Sequence, residues 1–413
     1  MIDSDVLVIG GGLAGATAAL AAAREGASVR LVSHKESTLR HASGLIDILG
    51  YHDGDLLADP FAALDDLPEG HPYERVGERA LRKGLALFDE VTGDRYAGDH
   101  TEKNALVPTT GGTVKPTARY PNSVSPGLAS DARETLLVGF ETLTDFDAPL
   151  AAAHLENAGV PFSVRGITAR FPMLRADAKV TRYAKVLDTD ETGIRGQLVK
   201  AIEPHVGDAE RVGFPAVLGH DHPQRVREEL ADELGADVFE VPGGPPSLPG
   251  MRLEATLFDA LREAGVAVET GNPVVGFEAA GGHIDHVEVE RTHQHIPYYA
   301  EEFVLATGGL VGKGLTSSRA GVREPVFSVP ISQPENRYDW FEDEAFGDHA
   351  FARFGVDVDT ELQPCDETGA VAYENLRAAG GILGGADFAV EKSGSGSSLA
   401  TGWAAGRGAG ADL

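Results

Sequence analysis

The sequence predicts an α/β protein with an inserted α+β cap domain, and three stretches in a fixed order predict it. The first runs from an apolar strand, Val6 to Ile9, through Gly10-Gly11-Gly12-Leu13-Ala14-Gly15 into an Ala-rich helix and a second strand, Val29 to Val32. The second, Glu302 to Gly309, reads as a strand that ends in Ala306-Thr307-Gly308. The third, Gly380 to Asp387 followed by Ser393 to Arg407, reads as a strand, a Gly-rich loop and a helix with Ser and Gly at its start. A lone G-x-G-x-x-G is a weak signal, but here it follows a strand and opens a helix. Together the three stretches specify a Rossmann-like FAD/NAD(P)-binding flavoprotein fold.

Within the opening unit each glycine has its own expected task. Gly10 makes the tight turn, Gly12 lets the backbone approach a phosphate, and Gly15 lets the helix pack close to the strand. Leu13 and Ala14 then lie at the helix N-terminus, where free N–H groups and the helix dipole favour an anion. Where an adenosine-binding unit usually ends its second strand with Asp or Glu, Val32 is followed by Ser33, His34 and Lys35. Either the adenosine half of a dinucleotide is held differently, or there is none.

The segment after the second strand, Leu39 to Leu49, is expected to return beside the flavin ring. His41, Ser43 and Gly44 are candidates for the ring's N5 and carbonyl edge, with a helix cap or solvent as the alternative place for His41. Residues 52 to 72 are acidic and Pro-rich and read as a linker. From Tyr73 to about Val91, apolar residues at helical spacing predict an amphipathic helix. Residues 104 to 117 are too punctuated by Gly, Thr and Pro for a helix and read as a loop or short hairpin carrying one cation, Lys115.

From Leu136 to about Glu240 the pattern predicts a separate α+β domain. Strands at 136–140, 161–164 and 214–218 alternate with helices at 149–158, 191–201 and 223–234. The Pro-rich stretch Val241 to Leu253 crosses back to the first domain, followed by a helix to Ala264 and strands near 266–269, 274–277 and 286–289. Arg252 at the head of that helix suggests an anion partner, or else a surface position, because a helix N-terminus does not favour a cation. In the third stretch, Ser395, Gly396, Ser397, Ser398 and Leu399 leave N–H groups free to meet the flavin's pyrimidine edge, and Thr307, Gly308 and Gly385 are expected near the cofactor.

Composition excludes several classes. The formal charge is −29 over 413 residues, and nine of the 35 basic residues are lysine. Acid spread along the chain with little Lys is what a cytoplasm at molar salt favours, and it argues against nucleic acid as a partner. One cysteine, Cys365, excludes a disulfide within the chain, a C-x-x-C redox pair and an iron–sulfur cluster held by this chain alone. No metal site is expected. With no apolar run of membrane-spanning length and no leader before the first strand, the expected location is cytoplasmic.

Several stretches resemble the B-type subunit of the anaerobic glycerol-3-phosphate dehydrogenases. They are Gly10 to Gly15; Ser43 to Leu49; Asn104 with Leu106 to Thr109; Pro246 to Leu253; Gly314-Leu315 with Arg319 and Gly321 to Pro325; and Leu383 to Asp387. The Pro-Ser-x-Pro-Gly-x-Arg-Leu and Arg-x-Gly-x-Arg-Glu-Pro runs are the more specific. The resemblance implies oxidation of sn-glycerol 3-phosphate to dihydroxyacetone phosphate, with electrons sent to quinone. It also implies a complex of three components: an A-type flavoprotein, this chain with non-covalent FMN, and a C-type iron–sulfur protein that brings it to the cytoplasmic membrane. The missing acid after Val32 agrees with FMN, and FAD is the alternative. If this chain does the chemistry, Arg252, Arg319 and Arg323 are expected on the phosphate and His41 on the proton. An electron-transfer subunit without its own substrate site and a fumarate-reductase-like oxidoreductase are the rival readings. The flavin-binding domain is expected to be discontinuous, over 1–60, 245–316 and 360–413, with 61–244 and 317–359 forming the cap and subunit-interface domain.

Overall fold

The computed structural model describes residues 2–35, 37–173 and 178–413. Strand β1 (Ile2–Ile9) owes its place to Val6, Leu7 and Val8, all fully buried. It leads into helix α1 (Leu13–Arg24) and strand β2 (Val29–Ser33). Helix α2 (Pro72–Thr92) begins where His71 Nδ1 accepts the N–H of Tyr73 and Pro72 fixes the first turn. Residues 104 to 117 form the anticipated hairpin, β3 (Ala105–Pro108) against β4 (Val114–Thr117).

The middle of the chain folds as a parallel sheet with helices. Its elements are β5 (Thr135–Phe140), α3 (Ala148–Asn157), β6 (Val164–Ala169), α4 (Val180–Thr189), α5 (Ile194–Val206), β7 (Arg211–Pro215), α6 (Pro223–Leu234) and β8 (Asp237–Val241). The sheet order is β6-β5-β7-β8, all parallel. Its own core gathers Phe140, Phe171, Tyr183, Leu198 and Phe214. Helix α4 is additional to the elements expected there, and the strands expected at 161–164 and 214–218 lie at 164–169 and 211–215.

The chain then returns through α7 (Leu248–Glu263), whose first turn is capped by Ser247 Oγ accepting the N–H of Gly250. Strands β9 (Ala267–Thr270), β10 (Val274–Ala280), β11 (His283–Arg291) and β12 (Gln294–Leu305) follow, then a small hairpin, β13 (Thr316–Ser318) with β14 (Gly321–Arg323). Strand β15 (Leu376–Ala378), a short helix α8 (Phe388–Glu391) and α9 (Gly394–Ala411) complete the chain. The main sheet runs β9-β2-β1-β12-β11-β10, with β15 also pairing β12. Strands β9, β2, β1, β12 and β15 are parallel, and β10 and β11 form an antiparallel meander.

Helices α1 and α9 pack backbone to backbone because their facing residues are small. A Cβ on Gly402 would lie 2.5 Å from the carbonyl oxygen of Ala14, and one on Gly406 would lie 2.0 Å from that of Ala18. The i, i+4 spacing on both helices makes this a continuous seam. It brings the start of α9 beside the start of α1.

The main core is wider than the expected domain boundaries. Leu64, Leu67, Leu81, Leu85 and Phe88 join it from the region assigned to the cap, as do Val326, Phe327, Trp340 and Phe354. The stretch read as a linker therefore carries buried anchors, and α2 is a layer of the flavin-binding body because its apolar face packs on α9. The separate core expected for residues 136 to 240 is present.

Candidate flavin and anion sites

The glycine loop divides into two packing glycines and one open one. Gly10 has φ 120°, and a Cβ there would sit 2.2 Å from the carbonyl oxygen of Ala306; one on Gly15 would sit 1.9 Å from that of Gly10. A Cβ on Gly12 meets nothing within 4 Å. Gly12 is also the N-cap of α1, and no side chain caps it. The loop's open side and the free N–H groups of α1 therefore face the same space.

That space is a cavity of about 410 Å³. Gly10, Gly12, Leu13 and Ala14 line it from the loop, Ser33 from the end of β2, Thr307 and Gly308 from the end of β12, and Ser398 from α9. The Oγ1 atom of Thr307 is buried there and finds no hydrogen-bond partner among the described residues. The charged groups of the lining are Lys35, Lys313 and the titratable His34, with no Asp or Glu among the described residues. In a chain of net charge −29 such a cavity selects anions. An uncapped helix N-terminus, two lysines and an orphaned hydroxyl fit the phosphate of a flavin nucleotide. Neither Lys313 nor Lys35 stands out in the sequence by motif; the scarcity of lysine is the signal that could have found them.

The residues expected at the flavin ring are not gathered with this loop. His41 is exposed at the end of a short turn. Ser43 accepts the N–H of Leu45 at 3.4 Å, and Gly44, whose carbonyl accepts the Tyr96 hydroxyl at 2.8 Å, lies against Pro249. Gly385 packs on the carbonyl of Gly70. At the start of α9 the N–H of Gly396 donates to the carbonyl of Asp47 at 2.7 Å, and Ser395 Oγ donates to that of Leu45 at 3.4 Å. Ser397 and Leu399 are buried. The helix start expected to be free is thus covered by residues 45 to 48, because the α1–α9 seam and Tyr73, which donates to Ile48 O at 2.6 Å, pull that segment onto it. Of this group only Ser398 reaches the cavity.

The arginines expected on a phosphate are also apart. Arg252 is tied to Glu240 through Nη1–Oε2 at 2.6 Å and Nη2–Oε1 at 3.0 Å, and its Nε donates to the carbonyl of Gly219 at 3.0 Å. Glu240 is fully buried and also accepts from Ser123 Oγ at 2.6 Å and Leu218 N–H at 2.8 Å. Burial raises the pKa of this carboxyl, but Arg252 and the two donors outweigh it and hold it below the ordinary range. Arg319 is exposed in the β13–β14 turn, and exposed Arg323 donates from Nε to Thr316 Oγ1 at 3.3 Å. The guanidinium of Arg252 is thus committed to the buried Glu240 and to the carbonyl of Gly219.

A second lined cavity, of about 610 Å³, opens near the α9 start. Asp47, Lys115, Lys392 and Ser395 contribute to its wall, and Lys115 Nζ lies 2.6 Å from Asp47 Oδ2. The cation of the hairpin thus finds its partner in the segment after the flavin loop. No group of three or more His, Cys, Asp or Glu that could hold a metal occurs among the described residues.

Comparison with known proteins identifies the family. The FAD binding domain family matches residues 5–397. The chain is 60% identical over 417 aligned residues to the probable B-type subunit of the anaerobic glycerol-3-phosphate dehydrogenase of Halobacterium salinarum, covering 98% of this chain and 97% of that one. It is 30% identical to the corresponding B-type subunit of Pectobacterium atrosepticum, covering 96% of each. Among solved structures, the open conformation of a flavocytochrome c3 fumarate reductase is similar with a TM-score of 0.44 and 11% identity, over 99% of this chain and 78% of that chain.

Proposed function

This chain belongs to the family of B-type subunits of anaerobic glycerol-3-phosphate dehydrogenase, and we propose that it works as the flavin-bearing subunit of such a dehydrogenase. It is a flavoprotein oxidoreductase. In the proposed reaction sn-glycerol 3-phosphate is oxidised to dihydroxyacetone phosphate, and the electrons pass through the flavin to an iron–sulfur partner and on to quinone. The observation that carries the reading is the lysine-bearing cavity at the uncapped start of α1, lined by no acid among the described residues, in a chain otherwise dominated by acids.

When bound, the flavin supplies the two-electron acceptor for a substrate C–H bond. The chain's residues bind and orient it: the N–H groups of Leu13 and Ala14, together with Lys313 and Lys35, hold phosphate, and Thr307 Oγ1 offers its unused hydrogen bond. The cavity also runs past the end of β2 to Ser33, His34, Pro273 and Val274. That extension has room on the side where an adenosine half lies in this fold, which favours FAD over FMN.

Partners follow from what the chain lacks. Its single cysteine, Cys365, leaves a cluster to another subunit. No helix among the described residues is long and apolar enough to cross a membrane, so contact with quinone in the membrane is assigned to a partner.

The test is anaerobic addition of glycerol 3-phosphate to the purified flavin-loaded chain, alone and with its partner subunits. Bleaching of the flavin absorbance with the chain alone is the expected result. Bleaching only in the assembled complex would make this chain an electron relay, and bleaching with succinate instead would move it to dicarboxylate chemistry. Mass measurement of the released cofactor separates FAD, the expected species, from FMN.

A further inference from the structure

The second cavity has features of a built site. Three segments far apart in the sequence converge on it: 47–51 after the flavin loop, the β3–β4 hairpin, and the α8–α9 junction. The convergence is close-packed. The N–H of Gly50 donates to Glu391 O at 2.8 Å, and a Cβ on Gly50 would sit 2.6 Å from Pro116 and 2.9 Å from the Cβ of Lys392. Two of the nine lysines of the chain line it, with Asp47 as their acidic neighbour. Lys115 is paired with Asp47, whereas Lys392 Nζ donates to the backbone carbonyl of Ala389.

Two independent observations point to a ligand. Asp47 is buried, yet its Oδ1 has no hydrogen-bond partner among the described residues; nearby Thr117 gives its hydroxyl to the carbonyls of Ile46 and Arg119. A buried acceptor left without a donor is destabilising, so a donor supplied from outside is favoured there. The second is position. Ser395 lines this cavity and Ser398 the flavin cavity, three residues or about 4.5 Å apart along α9. The two cavities therefore meet near one helix start, where the N–H of Gly396 is already taken by the carbonyl of Asp47. Thr109 Oγ1 and Thr113 Oγ1, 2.8 Å apart, add hydroxyls at the hairpin end.

We propose that this cavity binds a small phosphate ester bearing hydroxyl groups, with Lys392 and Lys115 on the phosphate and Asp47 accepting from a hydroxyl. The assignment rests on the substrate reading above, for which glycerol 3-phosphate is the matching ligand. It replaces Arg252, Arg319 and Arg323 with cations that the fold brings together beside the flavin cavity. Glycerol lacks the charge that two lysines select, so the site discriminates by phosphate.

The test is calorimetric titration of the full chain carrying its flavin with glycerol 3-phosphate, inorganic phosphate and glycerol, using wild type, Lys392→Met, Lys115→Met and, as a control, Lys103→Met. Lys103 is exposed, pairs with Asp59 and does not line the cavity. The expected result is binding of glycerol 3-phosphate and phosphate but not glycerol, weakened about tenfold or more by Lys392→Met and Lys115→Met and unchanged by Lys103→Met. Lys115→Met strips Asp47 of its partner and can unfold the chain; Lys392→Met does not, and it decides the matter alone if so. Unchanged binding in Lys392→Met overturns the site while leaving the substrate reading intact. Lysine-dependent binding of inorganic phosphate without binding of glycerol 3-phosphate overturns the substrate reading and keeps an anion site. A wild-type chain that binds neither overturns this site.

Discussion

Arg252 and Glu240 clasp each other at two points, 2.6 and 3.0 Å, and so join the N-terminal part of α7 in the main body to the end of β8 in the inserted sheet. Glu240 is fully buried and the Arg252 side chain is 14% exposed. Removing one partner would strand a buried charge, whereas a surface pair would cost little. Arg252→Ala is therefore expected to lower unfolding free energy by about 3–5 kcal/mol in denaturant titrations. Unaltered stability with weakened binding of glycerol 3-phosphate would return Arg252 to the ligand.

The glycine loop gives a prediction that separates folding from cofactor binding. Gly15→Ala drives a methyl group into the carbonyl of Gly10, so little folded protein is expected. Gly12→Ala meets no protein atom, so the cofactor-free chain should fold and melt as the wild type does. Its methyl group points into the space assigned to the flavin, and affinity for the flavin should fall about tenfold, equivalent to about 1.4 kcal/mol. The ratio of flavin to protein absorbance after gel filtration reads this directly, and full retention would remove the flavin from that cavity.

Glu302 on β12 sets a pH dependence. Burial raises its carboxyl, Arg377 pulls it down and Asp412 raises it again, leaving it pushed up to about 7 from an ordinary 4.5. The folded chain thus holds a proton that the unfolded chain releases, and stability is lost as pH rises from about 4.5 through about 7. Glu302→Gln cannot release that proton. Thermal melts between pH 5 and 8 should show a flatter profile for this variant, by on the order of 2–3 kcal/mol across the window. Parallel profiles would dismiss Glu302 as the source.

The net charge of −29 predicts salt dependence. Repulsion among carboxylates reaches about 10 Å in 0.1 M salt and about 3 Å in 1 M. The melting temperature should rise steeply with KCl through the molar range. Equal stability in dilute buffer would reject the halophilic reading.

Much of the frame is legible in the sequence. Helix 223–234 lies where periodicity and its Pro start place it, and the hairpin at 105–117 follows from its Gly- and Thr-rich turn. The opening strand-turn-helix is legible because its three glycines act through neighbours within a few residues or along the sheet. Helix α4 carries the same kind of signal, with Val180, Tyr183, Ala184 and Leu187 at i, i+3, i+4 and i+7, although it lies outside the expected elements; the Phe140 ring packs on Tyr183 in their core.

The site is legible only in part, for a physical reason. Gly10, Gly12, Leu13, Ala14, Thr307 and Gly308 meet because strands β1 and β12 pair in parallel and end together. Whether an arginine is free, by contrast, depends on what lies beside it in space. Nothing local to Arg252 reveals that Glu240 and the carbonyl of Gly219 take its guanidinium, nor that residues 45 to 48 cover the start of α9.

The sequence by itself determined the glycine turn, the order of elements and the acid-rich composition, all properties of residue type and short spacing. Tertiary structure decided which charges meet one another. Asp47, Lys115 and Lys392 come from three distant segments, and they share one cavity wall because a small-residue seam fixes α9 against α1 while Gly50 admits the hairpin. Close packing of that kind is a property of the assembled backbone, and no single segment carries it.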